Sequence, residues 1–178
     1  MKKILPLFFI FLATTAVAQN KDYILSTEGI GSLKLGMPLV ELEKLLGTKI
    51  KLKVIDVDPV ALGETIKAKY KGINVEIELI KNQEYIAVNG ISASSPLCKT
   101  TSGIGIGSTK LQIIAAYDGY NIDALPFYDS GRDENLIKSK TKSTVIVKEA
   151  AEGYAIIFTL VNKKVVSFQV LPMYDDEE

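Results

Sequence analysis

Two stretches of this chain share one plan, and that plan limits the folds that the chain can adopt. The first reads LKLGMPLVELEKLLG over residues 33–47, and the second reads IGIGSTKLQIIAAY over residues 104–117. Aligning Gly36 with Gly107 makes the apolar positions coincide. The matched pairs include Val40 with Leu111 and Leu42 with Ile113. Each copy predicts a short strand, a structural turn at the glycine, and an amphipathic helix whose apolar side chains face a sheet.

A strand pattern follows each predicted helix. In residues 73–79 apolar side chains alternate with polar ones, which is typical of a strand with one buried face. In the second copy Tyr154, Ile156, Phe158 and Leu160 stand at every other position and predict the matching strand. Further strands are predicted at residues 65–70, 85–92, 144–149 and 165–171.

The order of turn, helix and strands predicts an α+β fold of two tandem units, each a helix packed on an antiparallel β-sheet. The first unit spans residues 19–95 and the second spans residues 96–178, with a small, polar connector at residues 93–96. Residues 175–178 are all acidic and predict a solvated tail. The alternative interpretation is that the two halves of an α+β chain resemble each other by chance.

A glycine turn that opens a helix and leads into antiparallel strands resembles the unit of the β-lactamase inhibitor proteins and of the outer-membrane assembly lipoprotein BamE. The two repeated stretches carry this resemblance. The chain departs from BamE in having two copies and no lipid-anchoring cysteine. It departs from the inhibitors in lacking disulfide cysteines and an aromatic-rich concave face. The resemblance implies an architecture and transfers no functional residue.

The first eighteen residues predict export. Lys2 and Lys3 precede a short apolar run, and Ala16-Val17-Ala18 gives the small-residue pattern of a signal-peptidase site. We therefore expect residues 1–18 to be a cleaved signal peptide and the mature protein to lie in the periplasm or to be secreted. The apolar run is shorter than the roughly twenty residues of a membrane-spanning helix, so no transmembrane anchor is predicted.

Composition narrows the possible chemistry. The chain has no histidine, which removes the commonest general base and metal ligand. Its 21 basic residues balance 21 acidic ones, and Arg132 is the only arginine, so nucleic-acid binding is not expected. Cys98 is the only cysteine and leaves no intramolecular disulfide. We expect no cofactor and no metal, and favour a protein that is not an enzyme.

Four local groups of residues offer alternatives to that expectation. The glycines of residues 103–109 suggest a phosphate loop, although the spacing lacks GxGxxG and favours a structural turn. Glu76 and Glu78 lie on one face of a predicted strand, as a carboxylate-dependent hydrolase of the cell envelope would require. Candidate oxygen ligands for a cation, which solvated turns explain more simply, are Asp56, Asp58 and Glu64, and separately Asp129, Asp133 and Glu134.

Aromatic residues supply the leading candidate site. Tyr120, Phe127 and Tyr128 lie between the second helix and a polar insert, residues 129–142, that contains Arg132 and is predicted to be an exposed loop. We expect these four residues to bind a protein or another envelope component. The leading hypothesis is an exported, non-enzymatic protein that binds a macromolecule through an extended sheet and loop surface. The hydrolase and a periplasmic inhibitor or immunity protein remain the alternatives.

Overall fold

A long antiparallel sheet is the main structural feature of this protein. The computed structural model describes residues 20–52, 64–81, 85–130, 136–149 and 153–173. The strands of the sheet are β4 (Glu64–Tyr70), β5 (Ile73–Lys81), β6 (Ile86–Ala93), β7 (Asn121–Ser130), β8 (Leu136–Glu149), β9 (Tyr154–Val161) and β10 (Lys164–Pro172). Their order is β4–β5–β6–β10–β9–β8–β7, and every neighbouring pair is antiparallel.

Shorter elements cover one side of this sheet, the inner face. They are a 3-10 helix (Lys21–Tyr23), the two-residue strands β1 (Leu25–Ser26), β2 (Gly29–Ile30) and β3 (Leu33–Lys34), and the helices α1 (Leu39–Leu46) and α2 (Lys110–Ala116). Leu33, Leu42 and Ile113 from this layer form one buried cluster with Ile77 and Phe158 of the sheet. The described part of the chain therefore has a two-layer arrangement around one apolar core.

The prediction of two tandem helix-on-sheet units is wrong, because the fold is sheet-rich and the strands of both halves form a single sheet. β6 pairs directly with β10, and Ala93 lies opposite Phe168. This pairing gives partners to backbone N–H and C=O groups that would otherwise lie on two open strand edges. The helices are also short, and each has a single buried residue, Leu42 in α1 and Ile113 in α2.

Two of the helix positions predicted to face the sheet point away from it. Val40 is 75% exposed and Leu111 is 77% exposed, whereas Leu42 and Ile113 are fully buried. Successive helical residues are rotated by about 100°, so residues two apart lie on nearly opposite sides of the helix. Val40 and Leu42 therefore cannot both face the sheet, and the longer and better placed Leu42 occupies the core.

The same glycine turn occurs in both halves of the chain. Gly36 has φ of 73° and Gly107 has φ of 87°, and each lies just before a helix. The N–H of Gly36 donates to the carbonyl oxygen of Val88 at 2.8 Å, and the N–H of Gly107 donates to that of Val165 at 2.9 Å. Each turn is thus fixed to the last strand of its half, β6 or β10.

The large sheet has an approximate two-fold axis. One β-bulge inserts Asn89 between β5 and β6, and another inserts Val166 between β9 and β10, each directly after the valine that holds the glycine turn. With these two valines aligned, Ser92 corresponds to Gln169. Those residues also pair with each other across the β6–β10 junction. The axis therefore passes through the Ser92–Gln169 pair at the β6–β10 junction.

Replacing either turn glycine by alanine should lower the free energy of unfolding by about 1–2 kcal/mol, because a Cβ is disfavoured at positive φ. No heavy atom lies within 4 Å of the Cβ that Gly36→Ala or Gly107→Ala would add, so the cost is backbone strain alone. Urea unfolding followed by circular dichroism measures it. Gly119→Ala is the matched control, since its site is equally open and has no left-handed φ. Equal effects at all three glycines would contradict the assigned turns.

Candidate functional site

The structure does not bring the predicted aromatic residues together. Tyr120 lies just before β7 and packs edge-to-face on Tyr117, with ring centroids 5.2 Å apart. Tyr128 is eight residues further along the extended strand, about 26 Å away at 3.3 Å per residue. Phe127 is half-buried, and the Lys142 ammonium lies 5.0 Å from its ring centroid. Arg132 lies outside the described residues.

The polar insert, residues 129–142, was predicted to be an exposed loop. This prediction is wrong for the residues that the structure describes, because they are largely strand. Asp129 and Ser130 end β7, and Leu136 begins β8 opposite Ser130. β8 pairs with β9 only from Lys142 onward, so its first residues pair with β7 alone. The first residues of β8 do not alternate between buried and exposed, since Leu136 is 71% exposed. Their backbone pairing with β7 identifies them as a strand.

The side of the sheet away from the helices, the outer face, has an uncharged centre. Cross-strand pairing places seven side chains there, on β6, β8, β9 and β10. They are Ser92, Thr144, Ile146, Ile157, Thr159, Ser167 and Gln169. All seven are half-buried. These seven adjoining surface positions carry no charge, although 24% of the residues in the chain are charged.

Ion pairs border this uncharged centre on both sides. On one side Lys67 of β4 pairs with Glu76 of β5 at 3.2 Å, and on the other Lys148 of β8 pairs with Asp123 of β7 at 2.7 Å. An uncharged centre with a charged rim is the usual anatomy of a protein interface.

A groove of about 800 Å³ crosses the outer face from β4 to β9. It spans five adjacent strands, or about 19 Å at 4.8 Å per strand spacing. Its polar lining includes Lys67, Lys69, Asn74, Ser92, Thr159, Ser167 and Gln169. The groove includes the Ser92–Gln169 pair, so it lies over the approximate two-fold axis of the sheet. Its size is within the range of known binding sites.

No protein-family model matches this chain, and comparisons with curated proteins and with solved structures found no match. The surface features of the chain itself therefore carry the functional proposal.

The glycine stretch of residues 103–109 uses its backbone donors internally. The N–H of Gly103 donates to the Thr100 carbonyl oxygen, and that of Gly105 donates to Ser108 Oγ at 3.1 Å. The N–H of Gly107 holds β10, as described above. A phosphate loop needs such N–H groups free to point at the ligand. The geometry favours the structural turn over the phosphate site.

The two glutamates of the hydrolase alternative have structural partners. Glu76 forms the ion pair with Lys67, and Glu78 accepts a hydrogen bond from Asn89 Nδ2 at 3.3 Å.

Burial raises the pKa of the Cys98 thiol to about 11, which leaves it protonated and unreactive at neutral pH. No observation in the described part of the chain favours catalysis by these groups.

The described ranges contain no group of three or more Cys, Asp or Glu residues that could hold a metal ion. Glu64 begins β4. Asp129 lies near the end of β7. The other candidate ligands, Asp56, Asp58, Asp133 and Glu134, lie outside the described ranges.

One structural observation is relevant to membrane attachment. No helix among residues 20–52, 64–81, 85–130, 136–149 and 153–173 is long and apolar enough to cross a membrane. The predicted signal peptide, residues 1–18, lies outside the described residues.

Sequence reasoning missed the outer face, although β9 carried a signal for it. The segment YAIIFTLV has no charged residue over its whole length. Its outward residues Ile157 and Thr159 are therefore as uncharged as its inward ones. A strand with one face in water normally carries charged or strongly polar residues there. Ile157 departs from this pattern, so the sequence offered one signal, an apolar residue among the outward positions of β9.

Proposed function

We propose that this chain is an exported, non-enzymatic protein that binds another macromolecule through the outer face of its seven-stranded sheet. The observation that carries the proposal is the uncharged, half-buried centre of that face, bordered by the two ion pairs. Interfaces concentrate their binding energy in such a centre, where a partner excludes water, while the charged rim adds orientation. An inhibitor or immunity role is a narrower form of the same proposal.

The hairpin of β7 and β8 extends this surface. Leu125 is 50% exposed and lies opposite Thr144, at the edge of the uncharged centre. Tyr128 is 49% exposed further along the same strand. Side chains of this kind often anchor a partner, so the proposed binding surface includes this hairpin.

Placing an arginine at the centre of the outer face should weaken partner binding at least tenfold. The mature protein is used as bait for envelope extract, and the captured component is then titrated against Ile157→Arg and Gln169→Arg. We expect at least a tenfold loss of affinity for each variant, because an unpaired charge in an interface centre is costly to desolvate. Circular dichroism spectra show whether both variants remain folded.

Val40→Arg is the matched control, since Val40 is exposed on the helical side of the molecule. It should bind the captured component as the wild type does. Tyr128→Ala reports separately on the hairpin. Undiminished binding by both outer-face variants would overturn the proposal, and dependence on Val40 instead would move the interface to the helical side.

A further inference from the structure

The groove on the outer face has an uneven distribution of charge. Lys67 and Lys69 project from the same face of β4, two residues apart. Lys67 is neutralised by Glu76 at 3.2 Å. Lys69 lies opposite Asn74 and has no ion pair among the described residues. Within the described part of the chain, one positive charge without a counter-charge therefore lies at the β4 end of an otherwise neutral groove.

The rest of the groove offers hydrogen bonds rather than stacking. Asn74, Gln169 and the hydroxyls of Ser92, Thr159 and Ser167 provide both donors and acceptors along its length. Phe168 is the only aromatic residue in the lining, and its side chain is 1% exposed because it belongs to the core on the inner face. A nucleobase would find no ring to stack on.

These features favour an occupant that forms hydrogen bonds along its length and carries a negative charge at one point. We infer that the groove holds a polypeptide segment of the partner and that an Asp or Glu carboxylate of this segment binds the ammonium of Lys69. The inference rests on the proposed function. Peptide N–H and C=O groups match a lining of hydroxyls and amides, and the carboxylate supplies the charge that the β4 end lacks.

A peptide selection tests this inference on the mature protein without knowledge of the partner. Random 12-residue peptides displayed on phage are selected against the wild type, and the best binders are synthesised. We expect them to be enriched in Asp and Glu relative to the unselected library. Their affinity should fall five- to tenfold for Lys69→Gln and stay unchanged for Lys71→Gln. Lys71 is an exposed lysine on the β4–β5 turn, outside the groove.

A double-mutant cycle makes the test specific to the contact. Changing the key acidic residue of the peptide to its amide should weaken binding to the wild type five- to tenfold and have no further effect on Lys69→Gln. Acidic peptides that lose affinity equally for both lysine variants would indicate nonspecific charge attraction and overturn the inference. Failure to select any peptide, or selection of peptides without a carboxylate requirement, would overturn it as well.

The envelope component captured by the bait separates this inference from the proposed function. Protease treatment of the extract should destroy capture if the partner is a protein. Capture that survives protease but is lost with Ile157→Arg would point to a glycan or lipid on the outer face. That result would refute the polypeptide segment and leave the binding surface standing.

Discussion

Phe158→Ala is expected to cost about 3–5 kcal/mol of unfolding free energy, a large fraction of the 5–15 kcal/mol that a domain of this size possesses. The ring is fully buried, with Phe168 opposite it on β10 and Val145 opposite it on β8. Truncation leaves a cavity that strands on both sides, fixed by their hydrogen bonds, cannot close. Since the chain has no tryptophan, urea unfolding is followed by far-UV circular dichroism.

Ile157→Ala is the control for this experiment, because Ile157 is the preceding residue of the same strand and points to the outer face. It is half-buried, so its truncation should cost about 1 kcal/mol. Effects of equal size at the two positions would show that the inner and outer faces of β9 have been assigned wrongly. The same variant pair should respond in the opposite order in the binding experiment.

Leu42→Ala is expected to lower the unfolding free energy by about 2–5 kcal/mol, whereas Val40→Ala should change it by less than about 0.5 kcal/mol. Leu42 is 0% exposed and joins helix α1 to the core, while Val40 is 75% exposed on the same helix. Urea unfolding of both variants measures the difference. The two residues lie two positions apart in the same helix, so they share the local backbone conformation. The comparison therefore isolates the effect of burial.

The second half of the chain offers an internal repeat of this test. Ile113→Ala should behave as Leu42→Ala does, and Leu111→Ala as Val40→Ala does, because the burial of each pair is the same. A large loss for Val40→Ala or Leu111→Ala would mean that these side chains are covered by a contact that the described fold does not include.

Local features of this protein could be predicted from the sequence because short-range chemistry decides them. The alternation of apolar and polar residues over 73–79 predicted β5, since a strand with one buried face must alternate. Apolar residues at every other position from 154 to 160 predicted β9. The glycines at positions 36 and 107 indicated turns, since left-handed φ favours a residue without Cβ.

The binding surface could not be predicted in the same way. Tyr120 and Tyr128 are close in sequence, yet an extended strand separates them. Ser92 lies 65 positions before Ile157 and 77 before Gln169, and the pairing of β6 with β10 brings it beside them. Cross-strand neighbours depend on register, which forms only when distant segments pair. A single-residue change of register would move Ile157 to the core and Phe158 to the surface.

The sequence by itself therefore determined the glycine turns, the helices α1 and α2, and the alternating strands. Each of these elements depends on residues that are close together along the chain. Only the tertiary structure decided that β6 pairs with β10 and so joins both halves into one sheet. That junction depends on contacts such as Ala93 with Phe168, which are 75 positions apart, and on the gain from closing two open edges. The outer face exists only because that junction forms.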